Sequence, residues 1–209
     1  MGRKEGQAAI LSDKELRTVI NSFKGTTHAE RNTAMLLLSF KAGLRAKEIA
    51  AITLDDVLTM SGKTTYISAK VKCKSDDIRE TITLRSAVSK GNKIDKAYIR
   101  CDELREALLN YLPVRKVAFE KGKVDSFFIT QKGTTFSPTT MAHKFMAMSK
   151  DSSVEFSSHS GRRTLCTNLV QKGINVFDVQ GIMRHADIST TMLYYQKDER
   201  RLGQLMEET

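Results

Sequence analysis

The sequence predicts a mixed α+β fold, mostly helical, with one small antiparallel β-sheet. Three observations predict it. Apolar residues recur at helical spacing over the first 60 residues and again over the last hundred or so. Between them, from Gly62 to about Arg100, β-branched residues come in near alternation. No internal repeat or low-complexity linker divides the 209 residues, so one domain, or one plus a small appendage, is expected, with length enough to bury a core.

Each element follows in order. Ser12 and Glu15 form an S-x-x-E capping box ahead of Leu16, Val19, Ile20 and Phe23, which predicts a first amphipathic helix. Thr27 and Glu30 repeat that pattern before the apolar run Met35, Leu36 and Leu38, and Gly43 stands where a helix commonly ends. The segment AKEIAAITLDDV reads as a short helix running into a loop. Thr64 to Ser68, Glu80 to Val88 and Lys96 to Arg100 read as strands of a small sheet with two turns. A helix from Asp102 to Leu112 then presents Leu104, Leu108, Leu109 and Leu112 on one face, and Pro113 discourages its continuation. Phe127-Phe128-Ile129 reads as a short buried strand. Ser137-Pro138 is a cap with proline at the first helical position, leading to Met141, Phe145 and Met148. The next helix spans about Ser160 to Lys172 and stops at Gly173. Asn175 caps a short helix through Val176, Val179, Ile182 and Met183, and Asp187 or Ser189 caps another containing Met192 to Tyr195. The tail from Lys197 to Thr209 carries Leu202, Leu205 and Met206 at helical spacing.

Charge and composition narrow the classes. Lys and Arg number 34 against 24 Asp and Glu, a net charge of +10 that favours a polyanionic partner. The apolar runs are too short to span a bilayer, and the polar start MGRKEGQ is unlike a signal peptide, so a cytosolic protein without a membrane partner is expected. Cys73, Cys101 and Cys166 form no CxxC pair and read as reduced thiols, with Cys166 in the core.

Three basic clusters and a tyrosine pair carry the chemistry: GLRAKEI around Arg45, HSGRR around His159 and Arg162, and His185 followed nine residues later by Tyr194. Singly each has an ordinary explanation; Arg45, for one, can satisfy carbonyls at a helix end. Together they point to a phosphate. His159 and Arg162, three apart, share one side of a helix start where backbone amides favour an anion. The planar forks of Arg45 and Arg162 can hold both nonbridging oxygens of a phosphodiester while its trigonal-bipyramidal state forms. Asp55-Asp56 and Asp76-Asp77 are adjacent pairs in expected loops, spaced wrongly for a two-metal nuclease. GxxxxGK[ST] and GxGxxG phosphate loops are also missing from the sequence. What remains is covalent attack on phosphorus by a tyrosine hydroxyl, activated by nearby positive charge because free tyrosine titrates near ~10.

GLRAKEI, HSGRR and RHADISTTMLYYQ, in that order, resemble the three signature boxes of the tyrosine recombinase (phage integrase) family. The resemblance runs from about Leu11 to Gln196 and implies a mostly helical tyrosine-recombinase catalytic domain with a small antiparallel β-sheet. It would cut DNA through a 3′-phosphotyrosyl bond and rejoin it. By position, Arg45 resembles the first-box arginine, His159 and Arg162 the second-box pair, His185 the third-box histidine and Tyr194 the nucleophile. The family's general-acid lysine sits in a β-turn. Lys90, before the permissive pair Gly91-Asn92, matches it on turn chemistry, while Lys70, Lys72, Lys74 and Lys93 share the segment. Glu48 matches an acidic position and is expected to orient Arg45. Tyr195 is expected to pack or to face DNA. Arg184 stands where the family commonly has glycine, and Gln196 where many members have histidine.

The expected organisation is a polar lead over 1–10, a catalytic domain over 11–196 and a tail over 197–209 that folds back or docks on a neighbouring subunit. An N-terminal core-binding domain is not expected. The resemblance implies a site-specific recombinase or integrase of a mobile element, acting on double-stranded DNA in the cytoplasm at the nucleoid. It implies a homotetramer on two DNA sites, with an accessory directionality factor or second recombinase as further partners, and neither metal nor other cofactor. Two other functions share the scaffold: supercoil relaxation in the manner of type IB topoisomerases, and a noncatalytic DNA-binding accessory or regulator.

Overall fold

The computed structural model describes residues 7–68, 72–84, 95–119 and 124–195. Ten helices and one two-stranded sheet are found among them: α1 (Asp13–Ser22), α2 (Ala29–Ala42), α3 (Ala46–Ala51), α4 (Leu54–Val57), α5 (Met60–Ser68), β1 (Thr81–Leu84), β2 (Asp95–Tyr98), α6 (Asp102–Phe119), α7 (Pro138–Ser152), α8 (Ser160–Gln171), α9 (Val176–Met183) and α10 (Ile188–Met192). The chain divides into two compact units, residues 1–165 and 166–209, with the boundary inside α8. No helix among the described residues is long and apolar enough to cross a membrane.

The first unit is built around α2, whose residues Ala34 to Leu38 are all at most 1% exposed. An apolar helix this deeply buried must be covered on several sides, and α6 packs along it. Helix α7 packs on both α1 and α3, burying Met141, Phe145 and Met148. Strands β1 and β2 are antiparallel, with Thr81 opposite Tyr98 and Leu84 opposite Asp95. The base of this hairpin is fixed by Arg105 of α6, whose guanidinium donates to the carbonyls of Ser75, Ile78, Arg79 and Ile99.

Several local expectations hold. The Ser12–Glu15 capping box forms, Ser137 caps α7 by accepting from Thr140 N at 3.1 Å, and Asn175 caps α9. Cys166 is fully buried. Gly43 ends α2 at φ 63°, a left-handed conformation that costs glycine nothing.

Others are corrected. Thr64 to Ser68 is helical, within α5, not a strand. Gly62 N donates to Thr59 Oγ1 at the helix start, and Tyr66 is turned inward so that its hydroxyl accepts from buried Arg115. Those tertiary contacts outweigh the β-propensity of Thr64, Thr65 and Ile67. Helix α6 continues through Pro113 to Phe119. Arg115, itself fully buried, donates to the carbonyls of Val124, Ser126 and Phe127 and so holds the added turn in place. Phe127 and Phe128 are buried, but around them lie isolated bridges rather than a strand. The Thr27–Glu30 box is absent: α2 begins after His28, which makes no side-chain cap, while Thr26 closes a turn onto Phe23. Asp55 and Asp56 lie in α4 and Asp76 and Asp77 in a 3-10 turn, not in loops. Helix α10 stops at Met192, leaving Tyr194 and Tyr195 in the turn beyond it.

Candidate active site

Arg45 is the residue before α3, not a cation at the end of α2. Its N–H donates to Glu48 Oε2 at 2.7 Å, and its guanidinium Nη1 to Glu48 Oε1 at 2.6 Å. One carboxylate therefore fixes both the backbone and the fork of Arg45, the orienting role expected of Glu48. The preceding Leu44 is fully buried and its N–H donates back to Leu38 O. The turn from Gly43 to Arg45 is thereby clamped to the core.

Arg162 reaches that same turn. It lies in the first turn of α8, is 7% exposed, and its Nη1 donates to Gly43 O at 2.5 Å. Two residues of chain span at most about 7 Å and the bond to Gly43 O adds 2.5 Å, so the Arg162 fork ends within roughly 10 Å of the Arg45 backbone. The start of α8 is positioned by contact with α2: a methyl group at Gly161 would lie 2.2 Å from Ser39 Oγ and 2.7 Å from Ser39 C. Only glycine permits this approach. Ser160, fully buried, accepts from Ser157 N at 2.9 Å. His159 is exposed at this helix entry, its carbonyl accepting the first intrahelical bond from Arg163 N. The Arg162 fork thus reaches the turn that precedes Arg45, with His159 three residues ahead of Arg162 at the start of the same helix.

In the second unit, His185 Nδ1 lies 2.9 Å from Thr191 Oγ1, and Thr191 is fully buried. Gln180 brackets the His185 backbone, accepting from its N–H and donating to its carbonyl, both at 3.1 Å. Asp187 caps α10 by accepting from Ser189 N at 2.8 Å, and this bond, with one from the Ser189 side chain, holds its carboxyl below the usual range. Tyr194 N donates to Thr191 O, so one threonine touches both the histidine ring and the tyrosine backbone. Tyr195, half-buried, donates its hydroxyl to Ile174 O, consistent with packing. Arg184 caps α9 at φ 54°, the left-handed site that usually takes glycine.

Lys90 and the tail 197–209 lie outside the described residues. Among those described, no three His, Cys, Asp or Glu side chains gather as a metal-binding group. The contacts of Thr191 with His185 and of Arg163 with residues 7–8 were not legible in the sequence. Nothing separates Thr191 from Thr190 in the sequence, and Arg163 is overshadowed by its neighbour Arg162.

A mostly helical scaffold carrying a small hairpin, with two arginines held at one turn, has the fold of the tyrosine recombinase catalytic domain. The chain belongs to the phage integrase family, whose model matches residues 9–201. It is similar to the tyrosine recombinase XerC of Alcanivorax borkumensis, 24% identical over 187 residues that cover 87% of this chain and 54% of the relative. It is 26% identical to XerD of Oceanobacillus iheyensis over 195 residues, covering 92% and 59%. The crystal structure of XerH site-specific recombinase bound to difH substrate, a pre-cleavage complex, shares the fold with TM-score 0.69 at 20% identity, over 99% of this chain and 55% of that one. The chain spans little more than half the length of the curated relatives it matches.

Proposed function

We propose that residues 11–196 are the catalytic domain of a site-specific recombinase that cuts double-stranded DNA through a 3′-phosphotyrosyl intermediate and rejoins it. The Tyr194 oxygen bonds to phosphorus and the bond from phosphorus to the 5′-oxygen breaks. Arg45 and Arg162 neutralise the nonbridging oxygens, His159 and His185 hold the phosphate and assist proton transfer, and Lys90 gives the leaving 5′-oxygen its proton. Ester energy is kept in the protein linkage, so the step balances without metal, nucleotide or redox cofactor. The surplus of positive charge supplies salt-sensitive attachment to the DNA backbone. Two such DNA sites are held by a homotetramer, in which residues 197–209 dock between subunits, and a directionality factor or second recombinase joins where the exchange is directional. The enzyme acts in the cytoplasm, at the nucleoid.

The observation that carries this proposal is the hydrogen bond from Arg162 to Gly43 O, which links the second basic cluster to the turn bearing the first. The test is trapping on a nicked suicide DNA substrate. Wild type and Tyr195→Phe are expected to form the covalent adduct and Tyr194→Phe to form none, with chelator leaving the yield unchanged. An adduct lost only in Tyr195→Phe overturns the choice of nucleophile. Binding without adduct in wild type, on a verified site, replaces the enzyme with a noncatalytic accessory.

A further inference from the structure

Residues 7–11 lie against the same helix turn that carries Arg162. Leu11, 4% exposed, donates its N–H to Thr164 Oγ1 at 3.0 Å, and Thr164 is itself buried. Arg163 donates through Nη1 to Ala8 O and through Nη2 to Gln7 Oε1 at 2.6 Å. Immediately after Leu11, the Ser12–Glu15 box anchors the segment to α1. Residues 7–11 are therefore a strap, pinned at one end by a capped helix and at the other by an arginine fork.

Successive residues of a helix project about 100° apart. Arg162 grips the Gly43 carbonyl while Arg163 grips the strap, so the first turn of α8 is held from two directions. Gly161 against Ser39 limits its approach to α2, and the two arginine contacts bear on its rotation about the α8 axis. A guanidinium with two bonds to the strap can set that rotation, because it fixes an orientation, whereas a single ammonium contact fixes a distance.

We propose that Arg163 is a positioning residue of the active site, setting through the strap at 7–11 the rotation of the helix start that presents His159 and Arg162 to the phosphate. This inference rests on the recombinase function proposed above. It predicts that loosening the strap slows cleavage of bound DNA without weakening its binding, because Arg163 spends its fork on the protein.

The test compares Arg163→Met, Arg163→Lys and Gln7→Ala in the full chain. Adduct formation is followed at saturating suicide substrate, alongside the half-saturating DNA concentration and hydrogen exchange of peptides covering residues 157–165. Arg163→Met should cut the adduct rate at saturation by about tenfold or more, the scale of small misplacements of catalytic groups, while half-saturation stays within about twofold. Arg163→Lys, which keeps one donor toward Ala8 O but fixes no orientation, should recover only a minor part of the rate, and Gln7→Ala should lose a few-fold by order of magnitude. Exchange at 157–165 should rise in Arg163→Met. An unchanged rate, or a loss that appears in DNA affinity alone, overturns the assignment and makes Arg163 a DNA contact or a bystander. Should Arg163→Met fail to fold, Thr164→Val removes the strap's other anchor and must slow the same step. Wild type that forms no adduct refutes the recombinase function itself, and the exchange data then still report whether the strap orders α8.

Discussion

Gly161→Ala tests how the two arginine-bearing elements are held together. The new methyl would sit 2.2 Å from Ser39 Oγ, 2.8 Å from Ser39 Cβ and 2.7 Å from Ser39 C. The hydroxyl can rotate away, but the backbone carbon cannot, and restoring ordinary contact requires α8 to retreat by about 0.7 Å. Overpacking of this kind costs about 1–3 kcal/mol of stability. The Arg162 bond to Gly43 O stretches with the retreat, and a displacement approaching 1 Å at a catalytic group is worth on the order of 10²-fold in rate. Adduct formation at saturating DNA, with thermal melting alongside, measures both. Ser39 Oγ is buried without a hydrogen-bond partner among the described residues, so Ser39→Ala alone should be nearly neutral in stability. Added to Gly161→Ala, it should restore little, because the clash with Ser39 C persists. A Gly161→Ala enzyme that cleaves at the wild-type rate, or one fully rescued by Ser39→Ala, would refute the close approach as the positioning device.

Further outcomes follow from single contacts. Tyr195→Phe removes the hydroxyl bond to Ile174 O and should lower stability by about 1 kcal/mol in chemical denaturation while leaving the adduct intact. Arg184→Gly relieves a left-handed residue at the end of α9 and should raise stability by about 0.5–1 kcal/mol, read as a higher melting temperature. Burial, then the charges of Arg31 and Lys144, push the His28 imidazole below its ordinary range. The unfolded chain thus binds the His28 proton more readily than the folded one. Stability from this site is full above pH ~6.5 and declines as pH falls through that value toward the folded one. Melting curves from pH 7.5 to 5 should slope less in His28→Gln than in wild type.

How much of this was legible in the sequence depended on the range of the forces involved. Caps at Ser12, Ser137 and Asn175 involve neighbours within three residues, and all three form as the residue types dictate. Thr64 to Ser68 failed because its conformation is decided by Tyr66 meeting Arg115, 49 residues away, and the α6 extension failed for the same arginine. Within the candidate site, Glu48 was visible because it is local to Arg45. The strap on Arg163 spans 155 residues and leaves no periodic trace. Thr191 was equally hidden, since only the folded turn selects it over Thr190 as the partner of His185.

If Arg45 and Arg162 hold the phosphate as proposed, their arrangement bears on rate as well as binding. A free arginine side chain carries about 2 kcal/mol of rotamer entropy, which a phosphate would have to overcome for each fork it orders. Here Arg45 is held by Glu48 and Arg162 by the Gly43 carbonyl before any DNA arrives. The Glu48 carboxylate offsets part of the charge of Arg45. Glu48→Gln should free the Arg45 fork to reorient. DNA affinity should rise slightly as a negative charge is lost, and the adduct rate should fall. If both rise together, charge outweighs orientation at Arg45 and preorganisation is not the source of its effect.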